Sequence, residues 1–197
     1  MTTRGRGRPR ETTHDQIREV ARALFLQQGY AATSLQQIAD AAGISRTTLF
    51  HYFRAKRDLM ADEFDASFTR LRESLEGTED RPVVAAMAEG IGAALRFGRA
   101  EHDALALRWR IVRSDEELRA DVALRTRDIA DLLLEYGRAR APQAAPSLVS
   151  HVVEALMAVV ISATAHWADR EEPAVDLDVH VTAELAPFVA ALSPLLD

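Results

Sequence analysis

Between Thr33 and Lys56 the apolar residues Leu35, Ile38, Ile44 and Leu49 are set among polar and small ones. That spacing predicts two short helices, Leu35 to Ala41 and Arg46 to Tyr52, meeting at a tight corner. Ser34 with Gln37, and Thr33 with Gln36, both fit the capping-box spacing, in which a hydroxyl and a side-chain amide satisfy free N–H groups at a helix start. Gly43 supplies a left-handed residue that ends the first helix without a steric penalty. Ser45 is placed to cap the second. Ala39 is small enough for the two helices to approach closely. Upstream, Thr13 and Gln16 repeat the box, and Ile17, Val20, Ala21, Leu24 and Phe25 form an apolar stripe that ends before Gly29. This helix is expected to close a three-helix core over Ile38, Ile44 and Leu49.

The downstream pattern is helical throughout. From Lys56 a longer helix carries Met60, Phe64, Phe68, Leu71 and Leu75 on one face and stops near Gly77. Pro82 suits a first helical turn, and Met87, Ile91 and Leu95 then mark a helix from Val83 to Phe97. Gly90 and Gly92 lie inside it and point to the close approach of another helix ahead of a ligand. Leu105, Trp109 and Val112 predict a helix from Asp103 to Val112. A cap beginning at Ser114 opens a long one through Leu118, Val122, Ile129, Leu132, Leu133 and Tyr136 to Gly137. Arg138 to Pro146 reads as a loop. Ser147 to Trp167 is apolar nearly all round and needs burial on more than one side, inside a monomer or against a partner. Asp176 to Leu192 carries Leu177, Val181, Leu185, Phe188 and Leu192, with Pro187 expected to kink or break it. The chain is predicted to be all-α, with about nine helices.

Composition adds less than charge distribution does. Apolar residues make up 48% of the 197 and charged ones 27%, ordinary values for a soluble globular protein with a substantial core. The absence of cysteine excludes a disulfide framework or thiolate metal site and fits a reducing cytoplasm. The longest apolar run, Ala155 to Ala165, is interrupted by Ser162 and Thr164 and is too short to span a bilayer. No apolar segment follows the basic N-terminus, so no secretory signal is expected. The net charge of −6 is unevenly spread. Residues 1–57 hold ten basic and four acidic side chains; residues 58–197 hold fourteen and twenty-six. A basic N-terminal module on an acidic body is the electrostatic pattern of a DNA reader with a separate regulatory domain.

The outward face of the second short helix carries Arg46, Thr47, Thr48 and His51, all hydrogen-bonding types. A recognition helix in the major groove needs such a face, although a solvated amphipathic helix pair would show it too. Within residues 1–11, Arg6-Gly7-Arg8-Pro9 resembles the core of an AT-hook, an extended element of the narrow minor groove. A solvated basic tail is the alternative, and either adds phosphate attraction. Of the six histidines only His151 shares a helix turn with another ligating type, Glu154, so no metal site is expected. No HExxH, P-loop, GxGxxG or GxSxG motif is present, and no catalytic residue or cofactor is nominated.

The segments Gly29-Tyr30, Thr33 to Ala39, Ala42 to Ser45, Thr48 to Phe53 and Lys56 to Leu59 together resemble the TetR family of bacterial transcriptional regulators, over roughly residues 12 to 60. Phe50 and His51 stand where many members carry Tyr and an aromatic or Asn. The resemblance implies a disordered basic arm (1–11), a helix-turn-helix DNA-binding domain (12–57) and a helical effector-binding and dimerisation domain (58–197). It implies a cytoplasmic homodimer, paired through its two C-terminal helices, that represses from a near-palindromic DNA operator. A small hydrophobic or amphipathic effector would release it, and neither an enzyme activity nor a membrane partner is implied. On this reading Ser45, Arg46, Thr47, Thr48 and His51 contact bases, while Thr33, Ser34, Tyr52 and Lys56 set register through phosphates. Arg6 and Arg8 would serve the arm. Met87, Ile91, Leu105, Trp109 and Met157 would line an apolar pocket in which Arg108 meets an acidic head. An activator or nucleoid protein without a ligand, and an all-helical enzyme in which the motif is structural, remain alternatives.

Overall fold

Capping side chains start the first three helices. In the structure, a computed structural model describing residues 13–60 and 62–196, Thr13 caps α1 (His14–Gln28) and Ser34 caps α2 (Leu35–Ala41). Ser45 caps α3 (Arg46–Tyr52), its hydroxyl accepting from Thr48 N–H at 3.0 Å. Of the two boxes open to α2, Ser34–Gln37 forms. Gly43, at φ +68°, closes the helix. Its N–H reaches Asp40 O, and the N–H of Ile44 reaches back to Ala39 O. This is the paired C-terminal arrangement that glycine permits. Ile17, Phe25, Ile38 and Leu49 meet in the buried core of the three helices.

The helix expected from Lys56 is instead two pieces. Lys56–Met60 is a 3-10 turn packed on α1, with Leu59 and Met60 buried, and α4 (Asp62–Leu75) follows. Asp58 explains the tight turn, because its carboxylate accepts from the Ala55 N–H at 2.8 Å. The chain divides into two compact units, one ending at Met60 and one from residue 61 on. The first therefore includes the 3-10 turn.

In the second unit α5 (Val83–Ala94) is buried on almost every side, between α4, α7 (Glu116–Arg140) and α9 (Leu177–Leu196). The two glycines of α5 serve packing. A Cβ on Gly90 would lie 2.8 Å from Leu71 Cδ1, and one on Gly92 3.0 Å from Thr182 Oγ1. α5 stops at Ala94, short of the expected Phe97, where Arg70 of α4 donates to the carbonyls of Ala93 (3.0 Å) and Ala94 (2.8 Å). Two orphan acceptors at a helix end are thereby satisfied by one guanidinium. α6 (His102–Ser114) and α8 (Pro146–Ala168) complete the unit. Among the described residues the elements are nine α-helices and two 3-10 turns, with no strand.

Three boundaries differ from the sequence expectation for visible reasons. α7 is capped by Asp115, not Ser114. It runs past Gly137, which does not end the helix; a Cβ there would fall 2.6 Å from Met87 Cε and 2.7 Å from Val149 Cγ1. α9 continues through Pro187 and Pro194. Each proline removes a hydrogen bond to the carbonyl four residues earlier, and those carbonyls belong to Ala183 and Ala190, which are exposed and open to water.

By length and composition α8 and α9 could each cross a bilayer, since both are longer than their unbroken apolar runs. α8 contributes Val152, Val153, Leu156 and Trp167 to the core. On α9 the stripe buried at Leu177, Val181 and Leu185 continues to Phe188, Leu192 and Leu195, where Phe188 and Leu195 lie exposed.

Candidate functional site

α3 presents a row of polar side chains because Leu49 and Phe53 turn inward and anchor it. Ser45, Arg46, Thr47 and His51 are exposed and Thr48 is half-buried. Ser45 and Thr48 share a hydroxyl–hydroxyl bond of 2.7 Å, so these two are oriented by each other. Phe50, which the sequence pattern did not single out, is 42% exposed on the same helix. The Arg46 guanidinium lies 5.4 Å from its ring centroid, a cation–π pairing that the four-residue spacing would have suggested. Tyr52 is held by His14 of α1, the two rings meeting edge-on at 4.7 Å. Arg18 of α1 stacks 5.0 Å over Phe53. Burial lowers its pKa, the Asp15 carboxylate opposing the shift, and an arginine so placed stays charged.

Two residues expected at phosphates hold the protein together instead. Thr33 is 2% exposed, and its hydroxyl donates to Gly29 O at 2.8 Å and accepts from Gln28 Nε2 at 3.1 Å. Its side chain thus fastens the α1–α2 turn and does not face outward. Lys56 Nζ donates to the carbonyls of Tyr30 (2.7 Å) and Thr33 (3.1 Å) and sits 4.0 Å from the Tyr30 ring centroid. An ammonium has three protons, so one remains for an outside partner. Ser34 is exposed and caps α2. Arg6 and Arg8 lie outside the described residues.

Lys56→Met is accordingly expected to lower the stability of the first unit by about 1–2 kcal/mol without any DNA present, since it leaves two carbonyls short of a charged donor. Thermal denaturation of the free protein measures this. An unchanged melting temperature would show the lysine to be free of a structural part.

The second unit encloses a cavity of about 560 Å³. Ile91, Leu105, Arg108, Trp109 and Met157 line it, together with Phe64 of α4 and Thr164 of α8. Met87 does not: it is fully buried in the core beside Gly137. Arg108, only 8% exposed, places its guanidinium 5.1 Å from the Phe64 ring centroid. Neither helical glycine of α5 is on the wall. Among the described residues no three His, Asp or Glu side chains are grouped as metal ligands would be.

Residues 17–62 match the family model described as bacterial regulatory proteins, tetR family. The chain is 27% identical, over 82% of each protein, to MftR of Mycobacterium tuberculosis, named as a mycofactocin biosynthesis transcriptional regulator. It is 26% identical to the transcriptional activator FasR of Mycolicibacterium smegmatis, over 86% of this chain and 78% of that one. Among solved structures, a transcriptional regulator from Aquifex aeolicus superposes with a TM-score of 0.58 at 14% identity, covering 90% of this chain and 98% of the other. The repressor FadR of Thermus thermophilus, in complex with lauroyl-CoA, does so at 0.52 and 21% identity, covering 90% and 93%. With a helix-turn-helix that matches the family model and relatives that are named regulators along most of its length, the chain belongs to the TetR family of DNA-binding transcriptional regulators.

Proposed function

We propose that the protein is a homodimeric repressor that binds a near-palindromic operator and is released by a small hydrophobic or amphipathic effector. The observation that carries this is the pairing of an exposed hydrogen-bonding face on α3 with a separate unit that encloses a cavity of ligand size. About 560 Å³ falls well inside the range of about 300–1,000 Å³ typical of small-molecule sites. The domains are assigned as 12–57 for DNA and 58–197 for effector and partner, with 1–11 as a basic arm. The site of action is the cytoplasm, and the protein is a regulator, not an enzyme.

On operator DNA, Arg46, Thr47 and His51 read base edges, with Ser45 and Thr48 beside them; Ser34, Tyr52 and the remaining proton of Lys56 meet phosphates. Two copies place their α3 helices in successive major grooves about 34 Å apart. An effector that favours another spacing of the two must prefer it by about 5 kcal/mol for a near-complete switch. FadR, solved with lauroyl-CoA, supports ligand control of this fold.

Arg46→Ala is expected to weaken operator binding by about 1–3 kcal/mol and to relax preference at a single base pair. Titration of the operator and of every single-base variant measures this. An equal loss on operator and scrambled duplexes would assign Arg46 to the backbone. The likeness to FasR favours activation as a second reading. A reporter placed downstream of the operator separates the two by the sign of the change when the gene is deleted.

A further inference from the structure

The cavity holds two polar atoms to which the protein offers no partner. Trp109 Nε1 on α6 and Thr164 Oγ1 on α8 are both buried, and neither makes a hydrogen bond among the described residues. Both side chains line the cavity. Buried donors nearly always find an acceptor in native proteins, and leaving one unpaired is destabilising. An indole N–H only donates, and a hydroxyl donates one proton, so together they ask for an acceptor.

The charge around them narrows the class. Among the described lining residues the ionic side chains are Arg108, Arg113 and Arg119, with no carboxylate. Arg113 is paired with Asp169 at 3.1 Å, and Arg119 donates to the Arg113 carbonyl at 2.7 Å. Arg108 is the buried one, and a buried cation exerts its field through a medium less polarisable than water. The remaining wall is largely apolar. A cationic head would meet like charge, and a neutral carbonyl would satisfy a donor while leaving the field unanswered. A carboxylate offers about four lone-pair sites, accepts from both donors at once, and makes charge-assisted bonds roughly twice as strong as neutral ones.

We propose that the effector is an amphipathic monocarboxylate whose apolar body fills the cavity and whose carboxylate accepts hydrogen bonds from Trp109 Nε1 and Thr164 Oγ1. Arg108 supplies the favourable field. The inference rests on the reading of this cavity as the effector site. A short acid would leave most of the volume unfilled, so the body is a long chain or a fused-ring skeleton.

The test uses the full-length protein and N-phenyl-1-naphthylamine, an uncharged fluorescent probe, as the cavity reporter. Decanoate, dodecanoate and lithocholate, each below its micelle-forming concentration, compete against it beside decanol, dodecanol and dodecylamine. The better-fitting straight-chain acid should displace the probe about tenfold more tightly than its own alcohol, and the amine least well, as a charge-assisted bond in place of a neutral one requires. Trp109→Phe keeps the ring and removes the N–H; Thr164→Val keeps the shape and removes the hydroxyl. Each should weaken acid binding about tenfold while leaving the probe's affinity unchanged. Acids that bind no better than alcohols, or variants that bind acids like the parent, overturn the proposal.

A second arm adds each compound to the preformed operator complex. Release by the alcohols or the probe but not by acids would sink the carboxylate head and leave the effector cavity standing. If no compound binds and none releases DNA, both readings fall.

Discussion

Replacing Phe188 with Glu is expected to leave the chain folded but monomeric, and to weaken operator binding by about 10²–10⁴-fold through loss of the second, tethered contact. The argument starts from the spacing on α9. Leu177, Val181 and Leu185 are covered within the second unit, yet the same stripe runs on through Phe188, Leu192 and Leu195, where Phe188 is 43% and Leu195 46% exposed. An apolar stripe that outruns its own core is what a pairing surface requires. In a two-fold interface each residue occurs twice, so a single substitution introduces two carboxylates into apolar contact. The side chain already meets solvent in one copy of the chain, and helicity should therefore survive. Sedimentation equilibrium gives the oligomeric state, and circular dichroism the integrity of the fold. A variant that sediments as a dimer and holds the operator like the parent would place the interface elsewhere.

Ile38→Ala should abolish DNA binding by a different route, unfolding the first unit while the second persists. Ile38 is fully buried among the three helices. Truncating such a side chain costs about 2–5 kcal/mol, transfer and cavity terms together. A core in a unit of this size rarely supplies more than about 3–5 kcal/mol in total, so the loss is comparable with the whole. Calorimetry of the variant should show one transition lost or moved to low temperature and a second near its original position. Dimerisation and probe binding should be retained. A single transition that shifts as a whole would mean that the two units do not melt separately.

Local chemistry explains why the helix-turn-helix was readable in advance. A hydroxyl at Ser34 with an amide at Gln37, a left-handed glycine at 43 and a hydroxyl at Ser45 each act within four residues, and α2 and α3 begin and end where those residues dictate. Thr33 fits a capping box equally well on paper. What decides against it is Gly29, whose carbonyl takes its hydroxyl, with Gln28 donating to the same oxygen. Lys56 is harder still, since its two carbonyl partners lie 26 and 23 residues away. No periodicity encodes such a bond.

The same limit governs the second unit. A stripe assigns residues to a face without saying which part of the face is filled, and so Met87 reads like Ile91 although one is packed beside Gly137 and the other lines the cavity. Phe64 reads as core, and its place on the wall follows from where α6 lays Arg108. Thr164 interrupts an apolar helix and looks like a tolerated hydroxyl; only its lack of a partner marks it. The ends of α5 and α7 likewise depend on Arg70, Met87 and Val149, which come from other helices.

Lys56 is the only lysine in the chain, and it lies four positions before the junction at Met60. A lysine-specific endoprotease therefore has one bond to cut, and that cut frees the regulatory part from the reader in a single step. The scissile lysine is clasped by Tyr30 and Thr33, so hydrolysis must wait until the clasp opens. When opening and closing are fast, the cleavage rate reports how often the reader comes undone at its hinge.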